Sequence, residues 1–104
     1  MTVFQVVITE PAEHDLQSII VYVSKELQNP SAAQSFLNKI SNSLHYLKTL
    51  PKRFPLVNDI ILANQGIRKT TVDNYLIFYT VSESLKRVTI IRILYAKRNW
   101  KTLL

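Results

Sequence analysis

The sequence contains no cysteine, so it has no disulfide framework, no thiol nucleophile and no thiolate metal ligand. That fits a reducing compartment, and no basic-then-apolar leader opens the chain, so a cytoplasmic protein is expected. Glycine occurs once, at Gly66, which excludes a glycine-rich phosphate loop. The two histidines, His14 and His45, fall on helical segments at a spacing that does not bind zinc. Carboxylates are few and form no clustered pair. No metal and no cofactor is therefore expected, and ordinary hydrolase chemistry has little to rest on. The longest apolar runs, such as Ile19 to Val23, are far short of the ~20 residues of a membrane span, so no membrane partner is expected. With 104 residues, positions 1–104 read as one domain. A domain of that size buries roughly two-thirds of its unfolded surface.

Cations are plentiful and unevenly placed. Residues 1–47 carry Lys25 and Lys39 against Glu10, Glu13, Asp15 and Glu26, a net −2. The remaining residues carry eleven cations against Asp59, Asp73 and Glu83, a net +8, which gives +6 for the chain. This asymmetry points to a polyanion or an acidic protein as partner; the plainer reading is a solvated basic face.

Val3 to Ile8 reads as a short strand. Thr9-Glu10-Pro11 then opens a helix, with a capping oxygen and a proline where a missing N–H costs nothing. Its apolar stripe is Ala12, Leu16, Ile19, Ile20, Val23 and Leu27. Asn29-Pro30 starts a second helix, whose stripe Ala33, Phe36, Leu37, Ile40, Leu44 and Leu47 stops before Pro51. So short a break predicts an antiparallel helical hairpin. Between Pro51 and Gln65 the pattern lapses into a loop, with a possible short strand at Ile60-Ile61-Leu62. Gly66, being alone, is expected to meet a backbone need such as positive φ. Ile67 to Val72 and Tyr75 to Val81 read as a β-hairpin around Asp73-Asn74.

The last strand, Val88 to Ala96, organises the rest. Strict alternation puts Val88, Ile90, Arg92, Leu94 and Ala96 on one face and Thr89, Ile91, Ile93 and Tyr95 on the other. Both sets are mostly apolar, so the strand should be central and covered on both sides. Arg92 interrupts it and needs a carboxylate, such as Asp73 or Glu83, or a functional role. The fold class expected is α+β: strand, helix, helix and three strands, an antiparallel sheet packed on a helical hairpin.

Cations and aromatics on these strands are the remaining candidates for function. Arg68, Arg92, Lys97, Arg98, Trp100 and Lys101 suit binding of an anionic target, through guanidinium forks and aromatic stacking. Should the chain cleave RNA, the candidates are Arg68, Lys69, Arg92, Tyr95 and Arg98, since cations stabilise a charged transition state and a tyrosine or lysine moves protons. For Tyr75, Tyr79 and Tyr95 the plainer reading is packing plus one hydrogen bond, and for Trp100 the pinning of the C-terminal tail.

The ordered set of elements carries a resemblance. Pro11-Ala12-Glu13-His14-Asp15-Leu16-Gln17-Ser18-Ile19, then Asn29-Pro30-Ser31-Ala32-Ala33, then Asn74-Tyr75-Leu76-Ile77-Phe78-Tyr79, and the ending Ile91 to Trp100 resemble the RelE/ParE superfamily of bacterial toxins over nearly the whole chain. The resemblance implies a type II toxin neutralised by a cognate acidic antitoxin, with operator DNA bound only through that antitoxin. It leaves three functions open: inhibition of DNA gyrase, ribosome-dependent mRNA cleavage, or a degenerate toxin that only binds its antitoxin. In the nuclease branch the hairpin carries an arginine where this chain has Leu76, while Arg98 in Ala96-Lys97-Arg98 matches a nuclease arginine. The helical joint at Asn29-Pro30 is more similar to the ParE branch, which the reading favours.

Overall fold

The structure, a computed structural model, describes residues 3–26 and 28–104. Strand β1 (Gln5–Ile8) leads into helix α1 (Glu10–Glu26), followed by α2 (Pro30–Leu47), a short α3 (Ile60–Asn64), and strands β2 (Arg68–Val72), β3 (Tyr75–Ser82) and β4 (Arg87–Tyr95). A 3₁₀ turn, Trp100–Thr102, closes the chain. Both long helices begin as their sequences dictate. The Thr9 hydroxyl accepts from the Ala12 N–H at 3.4 Å. Asn29, extended at φ −140°, accepts from the Ser31 N–H at 3.0 Å, with Pro30 at the first helical position. Left-handed backbone falls at Gly66 (φ +79°) and at Asp73 (φ +53°) in the hairpin turn, as their types suggest.

The sheet order is β1-β4-β3-β2. β3 pairs antiparallel with both β2 and β4, whereas β1 lies parallel to β4. The sheet is thus mixed rather than antiparallel throughout. The reason is topological: β1 reaches β4 through the helical hairpin and the rest of the chain, so no tight turn sets their direction.

One face of the sheet carries α1 and α2. Ala12 and Ile19 from α1 and Phe36, Ile40 and Leu47 from α2 are buried against Val72, Ile77, Tyr79, Val88, Ile90 and Ile93. Leu16, Ile20, Val23 and Leu44 are partly buried against this layer; Ala33 is buried and Leu37 partly buried outside it, and Leu27 lies outside the described residues. The opposite face is also covered, but by irregular pieces: Val57, Leu62 and Ile67 close over Leu76, Phe78 and Leu94, joined by Trp100, Leu103 and Leu104.

Two expectations fail locally. Ile60-Ile61-Leu62 is helical, not extended, because the Asp59 carboxylate caps it by accepting from the Leu62 N–H at 3.1 Å. Only Leu62 turns inward; Ile60 and Ile61 are 76% and 68% exposed. Strict alternation along β4 also breaks. Tyr79 pairs with Ile90 and Phe78 with Arg92, which leaves Ile91 as a bulge. Beyond it the faces exchange: Ile93 joins Val88 and Ile90 against the helices, and Leu94 turns to the other side.

Candidate functional site

Arg92 shows how the bulge creates special positions. β1 ends opposite Ile90, so the edge of β4 is bare from Ile91 onward. Side chains from the start of α1 replace the missing strand. The Thr9 hydroxyl donates to the Ile90 carbonyl at 2.8 Å, and the Asp15 carboxylate accepts from the Ile93 N–H at 3.0 Å. The same carboxylate takes a bidentate pair from Arg92, Nε at 2.7 Å and Nη2 at 2.9 Å. Arg92 Nη1 donates to the Leu103 carbonyl at 3.1 Å. These hydrogen bonds to Asp15 hold the guanidinium proton more tightly than usual. The partner is therefore Asp15, not Asp73 or Glu83, which are taken by Lys39 at 2.9 Å and by Lys52 at 2.7 Å. Sequence pattern does not reveal this pair, because Asp15 and Arg92 lie 77 positions apart.

The other cations do not converge. Arg68 lies on the helix side of β2, where Nη1 donates to the Phe54 carbonyl at 2.8 Å and anchors the loop after α2. Beside it, the buried Tyr79 hydroxyl donates to the Pro51 carbonyl at 2.9 Å. Burial pushes that phenol up to about 12, against a smaller opposing pull from Arg68. Lys69 points the other way, with its ammonium 5.1 Å from the centre of the Trp100 ring. Lys101 sits 5.8 Å from the same ring, and Trp100 packs on Phe78 at 5.2 Å. Lys97 and Arg98 stand exposed in the turn after β4, where the Arg98 N–H donates to the Tyr95 carbonyl at 3.0 Å.

Tyr95 faces the helix side, edge-on to Tyr75 at 5.7 Å. Together they form one wall of a groove of about 730 Å³ running between α1, α2 and the β2–β3 hairpin, with Tyr22, Val23 and Phe36 among its other lining. Burial, then the neighbouring Tyr22 and Tyr95, push the Tyr75 phenol above its ordinary value. The apolar half of this groove was legible as two helical stripes; its tyrosine rim was not. On the opposite face, Leu76 is 6% exposed between Thr71 and Leu94, inside the apolar cluster closed by Trp100 and Leu103.

Among the described residues no histidine, cysteine, aspartate or glutamate cluster suited to a metal occurs, and no helix is long and apolar enough to cross a membrane. His14 and His45 are both exposed on their helices.

Two solved structures share this arrangement. The toxin–antitoxin complex RelBE2 from Mycobacterium tuberculosis contains a chain 16% identical, with a TM-score of 0.64 over 90% of this chain and 99% of that one. The chromosomal ParDE toxin–antitoxin system from P. aeruginosa contains one 21% identical, with a TM-score of 0.63 over 91% and 98%. No curated protein sequence matches the chain. The fold is that of RelE/ParE-like toxins. The family profile described as "ParE toxin of type II toxin-antitoxin system, parDE" matches residues 6–100, and the chain belongs to that family of type II toxins.

Proposed function

We propose that this ParE-family toxin inhibits DNA gyrase by binding it, and does not cleave ribosome-bound message. The observation that carries this reading is the environment of Leu76. It occupies the hairpin position that the resemblance assigns to a nuclease arginine, and it is buried among Phe78, Leu94 and Trp100. A guanidinium placed there would need an acceptor that the surrounding apolar side chains do not supply. The remaining nuclease candidates are dispersed: Arg68 on loop carbonyls, Lys69 on an indole, Arg92 on a carboxylate and Tyr95 on the far face. Stabilising a phosphorane-like state requires donors that meet at one phosphate, and loss of one such donor costs on the order of 10²–10³ in rate. Arg98 stands exposed in the turn after β4, which suits a binding role alongside the exposed Lys97 and Lys101.

The natural restraint on such a toxin is a cognate acidic antitoxin that lies across the helical hairpin and part of the sheet, filling the groove beside Tyr22, Tyr75 and Tyr95. Opposite charge on a +6 toxin makes that association fast and salt-sensitive. An on-rate that stays flat from low to high ionic strength would remove the electrostatic part of this account.

Expression in bacteria tests the target. The reading expects DNA synthesis to stop first, with messages intact. Codon-positioned cuts in ribosome-bound messages, lost in a folded Arg98→Ala variant, would instead assign the chain to the nuclease branch.

A further inference from the structure

Helix α3 turns two large aliphatic side chains into water. Ile60 and Ile61 are 76% and 68% exposed, while Leu62 beside them is buried. The short helix holds without them, since the Asp59 carboxylate caps it and Leu62 anchors it to the sheet. Single exposed aliphatic residues are ordinary on a protein surface, but two adjacent ones on a held element form a patch.

Cations border this patch. Leu62 belongs to the cluster on which Trp100 packs, and the Trp100 ring has the Lys69 ammonium at 5.1 Å and the Lys101 ammonium at 5.8 Å. The Lys69 N–H donates to the Pro55 carbonyl at 3.4 Å, so the segment leading into α3 runs beside it. Lys97 and Arg98 stand just before Trp100, whose N–H donates to the Arg98 carbonyl at 2.8 Å. None of these four cations enters an ion pair among the described residues. Asp59, the carboxylate nearest to the patch in sequence, is turned to the Leu62 N–H.

We infer that Ile60 and Ile61 are the apolar anchor of the surface with which the toxin docks on its protein target, and that the target meets them with an apolar cleft rimmed by carboxylates. The inference rests on the reading above that the toxin acts by binding, and adds the chemistry of the bound surface. An apolar centre inside a charged rim is the usual build of a protein–protein interface. A nucleic acid would engage the cations and the indole but leave both isoleucines in water. A second copy of this chain, related by a two-fold axis through the patch, would bring these cations against themselves. The tyrosine groove taken by the antitoxin lies on the helix side, across the sheet from α3.

The test compares Ile60→Ser/Ile61→Ser with the wild-type toxin in two assays, gyrase supercoiling and growth arrest on expression. Both side chains project into water, so the variant should fold, which thermal melting and near-UV circular dichroism check. The expected result is inhibition weakened roughly tenfold or more, with growth arrest lost. Leu85→Ser, at an exposed leucine in the β3–β4 turn, should behave as wild type. Lys69→Gln/Lys101→Gln should weaken inhibition several-fold at low salt and have little effect at high salt. Should the double variant fail to fold, Ile60→Thr alone carries the test. If the wild type spares supercoiling yet arrests growth with messages intact, and the double variant does not arrest it, another protein replaces gyrase and the surface stands. Undiminished inhibition or growth arrest by the folded double variant overturns the surface and leaves the gyrase reading untouched. A wild-type dimer that becomes monomeric in the double variant also overturns it, by assigning the patch to a second copy. Message cleavage by the wild type, or a wild type without effect in either assay, overturns the inference together with the reading it rests on.

Discussion

The two faces of the sheet are built differently. The helix-side face meets α1 and α2 through one continuous apolar layer, in which Leu47, Ile77, Tyr79, Val88 and Ile90 are all 0% exposed. Two amphipathic stripes can be buried in no other way, so that face follows from helical periodicity. The opposite face is a patchwork of a five-residue helix, a loop and a C-terminal turn. No periodic signal specifies such pieces.

Substitutions sharpen this contrast. The largest effect is expected inside the helix-side layer. Leu47→Ala leaves a cavity with no route to collapse and should cost about 3–4 kcal/mol in urea unfolding. A cost below about 1 kcal/mol would show that the layer is loosely packed.

Asp15→Ala comes next, at about 3 kcal/mol, because it strands both the Arg92 guanidinium and the Ile93 N–H. Partial exposure of the pair, 24% for Arg92 and 13% for Asp15, keeps the loss below that of a fully buried pair. Hydrogen exchange of the Ile93 amide should accelerate in the same variant.

On the patchwork face the effect should be smaller. Trp100 is half-buried, so Trp100→Ala should cost about 1–2 kcal/mol. Exchange should quicken at Leu76, Phe78 and Leu94 and stay unchanged at Ile77 and Ile90. Equal loosening on both sides would mean that the faces are not independent.

Tyr79→Phe should cost about 1 kcal/mol at neutral pH through loss of the bond to Pro51. It also has a pH signature. The native phenol titrates at about 12 against an ordinary 10.0, so the unfolded chain loses its proton first. Stability from this group is complete below pH 10 and declines as pH rises toward 12. The variant should lack that part of the decline in thermal melts.

Much of the molecule was legible because the signals were local. Asn29-Pro30 marks a helix start by chemistry alone, and Gly66 marks a left-handed residue by its isolation. The order of elements, read with the two stripes, gave the hairpin and its burial. The failures share one cause, long-range pairing. Nothing local announces that Ile91 is skipped by β3, and that one bulge reassigns the face of every later residue in β4. Parallel pairing of β1 with β4 and the union of Asp15 with Arg92 are equally distant in sequence. Of the candidate cations Arg68, Lys69 and Arg92 lie on strands and Lys97, Arg98 and Lys101 in the turns after β4, and the dispersal of the strand cations follows from the register.

The proposal of gyrase binding rests on buried, apolar Leu76 standing where the resemblance places a nuclease arginine. The most direct measurement is supercoiling of relaxed plasmid by purified gyrase with increasing toxin. Dose-dependent inhibition is expected, relieved by stoichiometric antitoxin and lost in a folded Lys97→Glu/Arg98→Glu variant. Undiminished supercoiling at a large molar excess of folded toxin would contradict it.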